Sequence, residues 1–151
     1  MSAIRVEARA EIDALPGAVY GLFADYRNGH PSILPSPPFE GLEVEQGGVG
    51  AGTRILVRMR SMGIPRIMRM DVTEPEPGRV LMETEPATDT VTTFTVDPLD
   101  GGRRSQVSIL TEWTPRGPGA FLERLVVPPL LQRVYAEELR NVQQALRSPA
   151  G

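Results

Sequence analysis

A glycine-rich segment at Gly47–Thr53 has the first residue pattern that could bind a ligand. Closely spaced glycines bind phosphate where a helix follows them, because the phosphate then meets the helix N-terminus. Here they lead into Arg54–Arg60, whose β-branched and alternating residues are typical of a strand, and no Lys-Ser/Thr pair follows. We therefore interpret the segment as a turn between strands, in which glycine supplies positive φ angles, and not as a nucleotide site.

Arg66 is the polar residue that most suggests a binding function. On a strand predicted at Pro65–Glu74, it shares a face with Met68, Met70 and other apolar residues. A guanidinium group on an apolar face needs an anion or several hydrogen-bond acceptors, and a ligand carboxylate or enolate would serve. The alternative, which we favour, is that Arg66 reaches water from the end of its strand.

His30 is the single histidine of the chain, and histidine is the side chain that most readily exchanges a proton near neutral pH. It lies in the proline-rich segment Asn28–Phe39, where it could serve as a general base. No partner carboxylate can be assigned from the sequence, so we favour an exposed loop histidine. Three glutamates on later strands, Glu83, Glu85 and Glu112, are predicted to face solvent.

Composition excludes several classes of protein. The chain has 151 residues, which suits one domain with a single core, assigned here to residues 1–151. No apolar run is long enough to span a membrane, and a net charge of −3 argues against nucleic-acid binding. The chain has no cysteine and one histidine, which excludes disulfides, thiolate zinc sites and multi-histidine metal sites. We expect no metal, no cofactor and a cytoplasmic location.

Alternation and turn chemistry predict the elements that carry these residues. Residues 3–12 alternate between charged and apolar, which predicts a strand with one wet face. A helix is predicted near Pro16, with at most a turn or two more around Ser32–Leu34. Six further strands, joined by short turns and therefore antiparallel, are predicted at Gly41–Gln46, Thr53–Ser61, Pro65–Glu74, Arg79–Glu85, Thr90–Asp97 and Gln106–Thr114.

A long helix is predicted over about residues 119–147. Its apolar positions recur at steps of four and three, beginning with Phe121 and Leu125. Pro128 and Pro129 fall inside it and predict a kink, or a short helix followed by a longer one. The order of elements predicts an α+β fold: a curved, seven-stranded antiparallel sheet that grips the C-terminal helix, with one or two short helices after the first strand.

With this order of elements, the chain resembles the START-like (Bet v 1-like, SRPBCC, helix-grip) superfamily, and specifically its bacterial polyketide cyclase/dehydrase-type branch. The resemblance covers nearly the whole chain and rests on Pro16–Tyr26, the glycine-rich hairpin and the closing segment Glu137–Val142. Members bind lipids, hormones, polyketides or isoprenoids, and some are cyclases or dehydratases. The resemblance implies an apolar cavity between sheet and long helix, but it leaves the chemistry open, because one fold hosts many functions.

Strand parity predicts which residues line that cavity. On the fifth strand Val80 and Met82 are predicted to face it, although Leu81 competes with them. Methionines on adjacent strands would give the cavity a soft, adaptable wall. No catalytic residue is assigned. The predicted ligand-binding residues are Tyr26, Met59, Arg66, Met68, Met70, Thr92, Phe94, Thr111, Trp113 and Leu125.

Three functions remain open. The first, which we favour, is a carrier or sensor that holds a small hydrophobic molecule, such as a polyketide, isoprenoid or lipid-like compound. The second is an enzyme of the polyketide cyclase/dehydratase type, which needs a set of polar groups inside the cavity. The groups available are Arg66, Thr92, Thr111, Tyr26 and His30. The third is a protein-interaction module whose cavity is filled by side chains. A monomer and a homodimer are both compatible with the sequence.

Overall fold

The computed structural model describes residues 3–61 and 63–147. These residues form one antiparallel sheet of seven strands and three α-helices, which confirms the predicted α+β helix-grip fold. The strands are β1 (Ile4–Ile12), β2 (Phe39–Gln46), β3 (Arg54–Ser61), β4 (Ile64–Glu76), β5 (Val80–Glu85), β6 (Thr90–Leu99) and β7 (Arg104–Trp113). The helices are α1 (Pro16–Ala24), α2 (Gly29–Ile33) and α3 (Ala120–Leu146), with a short 3₁₀ turn at Asp100–Gly102.

The spatial order of the strands is β1-β7-β6-β5-β4-β3-β2. Strands β2 to β7 are joined by short turns, so each pairs with the next along the chain. Strand β1 instead pairs with β7, the last strand, from Ile4 opposite Trp113 to Ile12 opposite Ser105. The chain between β1 and β2 forms α1 and α2. Strand β1 therefore forms one edge of the sheet, next to the strand from which the chain continues into α3.

Helix α3 lies along β1 and against α2, as three hydrogen bonds show. The side-chain amide of Gln132 donates to the carbonyl of Glu7 at 3.0 Å, and Gln143 Oε1 accepts from the backbone N–H of Asp13 at 2.9 Å. Asn141 donates to the carbonyl of Ile33 in α2 at 2.9 Å. The middle of α3 therefore lies beside the middle of β1, and its second half lies beside the end of β1 and α2.

Helix α3 is continuous through Pro128 and Pro129, so of the two predicted alternatives, the division into a short and a longer helix is wrong. Each proline removes one backbone donor, but the helix has enough other contacts to continue, because Tyr135, Leu139 and Val142 are buried against the core. No helix within the described residues is long and apolar enough to cross a membrane.

The inward face of β4 agrees with strand parity, whereas that of β5 does not. Met70 and Val72 on β4 are buried, as predicted. On β5 the buried residues are Leu81, Glu83 and Glu85, so the predicted inward positions of Val80 and Met82 are wrong. Register explains the difference, because residues directly opposite each other in an antiparallel pair share a face. Glu83 lies opposite the buried Val72 on β4, which places it on the inner face.

The glycine-rich segment is a turn that leads into β3, as predicted. It also docks against the end of α1, because Gly50 N–H donates to the Ala24 carbonyl at 3.0 Å. Gly47 and Gly50 have φ angles of 71° and 64°, in the left-handed region. A Cβ atom at Gly47 would lie 2.9 Å from the backbone Cα of Thr53, so the turn can form only with glycine at this position.

We predict opposite effects for two glycine-to-alanine changes. Gly47→Ala should lower the free energy of unfolding by about 1–3 kcal/mol, because alanine is strained at positive φ. Gly21→Ala should raise it by about 0.5–1 kcal/mol, because Gly21 lies inside α1 and a Cβ there meets nothing within 4 Å. Urea denaturation of both variants and the parent measures the two changes. Equal stability of the two variants would contradict the role assigned to the turn.

Candidate functional site

Four polar side chains meet in the core, where α2, β5 and the second half of α3 come together. They form the buried polar cluster, whose members are Tyr26, His30, Glu83 and Glu138. His30 and Glu138 are each only 2% exposed. The Tyr26 hydroxyl donates to Glu83 Oε2 at 2.7 Å. His30 Nε2 lies 3.8 Å from Glu83 Oε2 and 3.9 Å from Glu138 Oε2.

The orientation of His30 is fixed from several sides. Its Nδ1 lies 2.7 Å from the Phe23 carbonyl oxygen, and because a carbonyl only accepts, Nδ1 must carry a hydrogen and donate it. The imidazole stacks on the Tyr26 ring at 4.7 Å between centroids and meets Phe94 edge to face at 5.3 Å. These contacts hold Nε2 close to the two carboxyl groups.

Glu138 is the least satisfied member of the cluster. Its Oε2 is buried and has no hydrogen-bond partner among the described residues. Burial, and secondly the nearby charge of Glu83, raises the pKa of Glu138 well above its usual range, so its neutral, protonated form is favoured. Burial likewise raises the pKa of Tyr26, which keeps its phenol a donor to Glu83. The cluster therefore buries two carboxyl groups, of which one is stabilised by a donated hydrogen bond.

A row of hydroxyl groups continues the cluster across the sheet. Thr92 and Thr111 are hydrogen-bonded through their side-chain oxygens at 2.7 Å, and Thr111 is hydrogen-bonded to the Tyr135 hydroxyl. Thr92 lies opposite Glu83 in the register of β5 and β6, so the row begins beside the cluster. Burial raises the pKa of Tyr135, and its phenol therefore stays protonated. The inner face thus carries a continuous polar strip beneath the second half of α3.

A second set of polar side chains lies two residues further along β5. We name it the rim, and its members are Arg66, Glu85, Thr88 and Thr90. Its centre is Glu85, which is 5% exposed and accepts from Thr88 Oγ1 at 2.6 Å and from Arg66 Nη2 at 3.2 Å. Thr88 also shares a hydrogen bond of 2.7 Å with Thr90. The Arg66 side chain is 49% exposed. Arg66 therefore reaches water from the rim, as the favoured interpretation of the sequence has it, while its guanidinium group pairs with a buried carboxylate.

The end of the sheet at the rim, which we name the open end, exposes large apolar side chains. The Trp113 indole N–H donates to Glu123 Oε2 at 2.5 Å, which places the first turns of α3 at this end. In those turns Phe121 is 75% exposed and Leu125 is 59% exposed. Ile64, at the start of β4, is 65% exposed. The second half of α3 is packed against the core, whereas the apolar side chains in its first turns are exposed to solvent.

Two surface depressions include none of the predicted ligand-binding residues. The first, of about 260 Å³, is lined by Gln46, Gly52, Thr53, Arg54, Asp71, Val72 and Thr73. The second, of about 200 Å³, is lined by Pro31, Leu34, Ser36, Phe39, Glu40, Gly41 and Leu42. In the described part of the chain, no group of three or more His, Cys, Asp or Glu side chains is arranged to hold a metal ion.

The predicted ligand-binding residues differ in burial. Tyr26, Met70, Thr92, Phe94 and Thr111 are buried in the core. Met59, Met68 and Trp113 are half-buried, and Arg66 and Leu125 are exposed at the open end. Their role in ligand binding remains a prediction.

Two sequence expectations about polar residues are wrong. His30 is not an exposed loop histidine, because α2 turns its ring into the core against Tyr26 and Phe94. Glu83 and Glu85 do not face solvent, because the register of β5 directs both inward. Glu112 behaves as predicted and pairs with Arg5 on the outer face at 3.3 Å.

Glu138 is a candidate functional residue that was not predicted from the sequence. A signal for it was present, because it lies three residues after Tyr135 and four before Val142, both on the buried face of α3. A glutamate on such a face is expected to be paired or neutral. The partner could not be identified from sequence, because His30 is more than a hundred residues away along the chain.

One protein-family model matches nearly the whole length of the chain. The family model described as polyketide cyclase / dehydrase and lipid transport matches residues 3–147. No curated protein matches the chain. The solution structure of the KanY protein is 27% identical, with a TM-score of 0.83 and coverage of 98% of this chain and 100% of that chain.

Two further structures share the fold at lower identity. The Zhui aromatase/cyclase from Streptomyces sp. R1128 is 20% identical, with a TM-score of 0.74 over 98% of this chain and 97% of that chain. A START superfamily protein from Mycobacterium smegmatis is 16% identical, with a TM-score of 0.63 over 94% of this chain and 93% of that chain. Together with the family match, they confirm the resemblance to the START-like superfamily and its polyketide cyclase/dehydrase branch.

We predict that Glu138→Gln stabilises the protein at neutral pH by about 1–3 kcal/mol, because it removes a buried, unpartnered carboxyl group. The folded state keeps the Glu138 proton to a higher pH than the unfolded state, in which the carboxyl titrates at about 4.3. The parent therefore loses stability as pH rises above that value, and the advantage of the variant should grow with pH.

Urea denaturation at several pH values measures this advantage. Glu137→Gln, on the exposed neighbour in the same helix, is the matched control and should show no growing advantage. An advantage of Glu138→Gln that is constant or shrinks with rising pH would show that Glu138 is ionised in the folded protein.

Proposed function

This chain belongs to the polyketide cyclase / dehydrase and lipid transport family, and we propose that it binds a small hydrophobic molecule between the inner face of the sheet and the first half of α3. The ligand class is a polyketide, isoprenoid or lipid-like compound, and the proposed location is the cytoplasm. The observation that carries the proposal is the open end, where Phe121, Leu122 and Leu125 are 75%, 61% and 59% exposed on a helix whose second half is packed.

Exposure on this scale has an energetic cost that a ligand can remove. Burying a leucine or phenylalanine side chain is worth roughly 1.5–3 kcal/mol. Clustered exposed apolar side chains on a monomer commonly mark a binding surface. Leu125, Phe121 and Leu122 lie within one and a half turns of α3, so a single apolar molecule can contact all three.

The facing wall is suited to an apolar and variable ligand. Met59 and Met68 lie on the inner faces of β3 and β4 and are half-buried at the open end. Methionine adapts its shape to different partners because its side chain is unbranched and polarizable. Trp113 lies between this wall and α3 and is half-buried, so its indole fluorescence can report on a bound molecule.

A second candidate function is that of a cyclase- or dehydratase-type enzyme. The observation that favours it is the buried polar cluster, in which a neutral carboxyl group and an imidazole lie 3.9 Å apart and could exchange protons with a substrate. Binding is the better supported function, because it needs only the open end, whereas catalysis needs substrate to reach groups that are 2% exposed. Incubation with a linear poly-β-ketone, followed by mass spectrometry of the products, tests for catalysis directly.

We predict that Leu125→Asp weakens the binding of hydrophobic ligands by tenfold or more, since it places a charge in the proposed contact. The measurement is a titration of Trp113 fluorescence with a panel of aromatic polyketides, isoprenoids and fatty acids. Leu15→Asp is the matched control, because Leu15 is similarly exposed at 60% but lies beyond the opposite end of β1. It should bind as the parent does.

Two results would contradict the proposal. One is that no member of the panel binds the parent protein. The other is that Leu125→Asp and Leu15→Asp change affinity to the same extent, which would place any binding away from the first half of α3.

A further inference from the structure

The solvent-exposed side of α3 changes in composition along the helix. In about its first three turns the exposed residues are apolar, and we name this surface the docking face. Its members are Phe121, Leu122, Leu125, Pro129 and Leu130. From Gln132 to Gln144 every exposed residue of the helix is polar or charged. The second half of α3 therefore has the polar surface expected of a solvated helix, whereas the first half exposes a surface that favours contact with an apolar partner.

The docking face is broad, which suits contact with a flat surface. At 3.6 residues per turn its five positions span about half of the circumference of the helix, over about 14 Å of its length. A helix that packs against one other helix in a coiled coil needs only a narrow apolar stripe. A helix that lies in the interface of a bilayer instead buries a whole apolar side. The face also extends beyond the three residues proposed to contact the ligand, because Pro129 and Leu130 belong to it.

The segment that carries the docking face is positive in an acidic protein. Between the end of β7 and Glu137, residues 114–136 carry three arginines and one glutamate, a net charge of +2, whereas the whole chain has a net charge of −3. The glutamate, Glu123, is held against the end of β7 by the Trp113 indole. The Arg116 side chain is exposed and lies 3.7 Å from an equally exposed aspartate, Asp89, a pairing that contributes little in water.

Arg133 provides a second accessible positive charge at the other end of the docking face. It lies one turn after Pro129 and is exposed, and within the described residues it makes no ion pair. Arg116 precedes the docking face and Arg133 follows it, so an accessible guanidinium group lies beyond each end of the apolar surface. Guanidinium groups bind phosphate well, because they donate two parallel hydrogen bonds to its oxygens.

We propose that the docking face lies on the surface of an anionic phospholipid bilayer, with its apolar side chains among the acyl chains and with Arg116 and Arg133 at the phosphate groups. An apolar helix surface with leucine and phenylalanine, bordered by arginines, is the composition of helices that lie in a bilayer interface. This inference goes beyond the proposed function, because docking needs no bound ligand. Docking brings the open end to the bilayer, so that a lipid-like ligand can pass between the two without crossing water.

A second copy of the chain fits the docking face less well than a bilayer does. If two of these faces packed antiparallel and centred on Leu125, Arg133 of each copy would lie close to Arg116 of the other. If they packed in parallel, each arginine would lie close to its own equivalent. Like charges brought together in an interface are unfavourable in both arrangements. Anionic phosphate groups instead supply the opposite charge at both ends of the face.

Vesicle flotation with ligand-free protein tests this docking. The vesicles are phosphatidylcholine alone and an equimolar mixture of phosphatidylcholine and phosphatidylglycerol. We expect the parent to bind the mixed vesicles at least tenfold more tightly, and high salt to weaken this binding. Leu130→Asp and Arg133→Glu should each weaken binding to the mixed vesicles at least tenfold. Leu15→Asp, on an exposed leucine at the opposite end of the sheet, is the matched control and should bind as the parent does.

Several results would overturn the proposal. The first is that the parent does not bind the mixed vesicles at low salt, or binds both kinds of vesicle equally. The second is that Leu130→Asp and Leu15→Asp weaken binding to the same extent, which would place the contact elsewhere. The third, from analytical ultracentrifugation, is a parent dimer that Leu130→Asp converts to a monomer, which would assign the docking face to a second copy. The Trp113 fluorescence titration contains no vesicles, so failure of docking leaves the proposed ligand binding intact.

Discussion

The burial of two carboxyl groups against one histidine is the constraint on which this structure depends. Glu83 on β5, Glu138 on α3 and His30 on α2 come from three elements that are distant in the sequence, and none of them can return to water without opening the core. Buried charges are costly unless they are paired or neutralised. Their positions therefore determine where the second half of α3 lies relative to the sheet, and the stacked Tyr26 and Phe94 rings hold the histidine in place.

The same constraint divides α3 into two halves with different tasks. The second half carries Glu138 and the buried residues Tyr135, Leu139 and Val142, so it is held by the core. The first half contributes Leu125 and its exposed apolar neighbours to the open end. A helix that is fixed at one end and exposed at the other can accept a ligand at the exposed end without loss of its packing. The rim, where Arg66 pairs with Glu85, marks the boundary between these two regions of the inner face.

Much of the fold could be predicted from the sequence, because its signals are local. Alternation in residues 3–12, glycine turns and the three-four spacing on α3 each depend on near neighbours. The burial of His30, Glu83 and Glu138 could not be predicted in the same way. On β5 the apolar Val80 and Met82 suggested one face, whereas the register with β4 and β6 selected the other, and register depends on pairing between strands. A polar side chain is tolerated in the core because its hydrogen-bond partner comes from a distant part of the sequence.

The most direct test of ligand binding at the open end uses the methionine methyl groups as probes. The chain has six methionines, and Met59, Met68 and Met70 lie on the inner wall, while Met82 lies on the outer face of β5. In a methyl NMR titration with decanol, we predict that the Met59 and Met68 resonances shift most and that the Met82 resonance does not move. Shifts confined to Met82, or an unchanged spectrum at saturating ligand, would contradict this prediction.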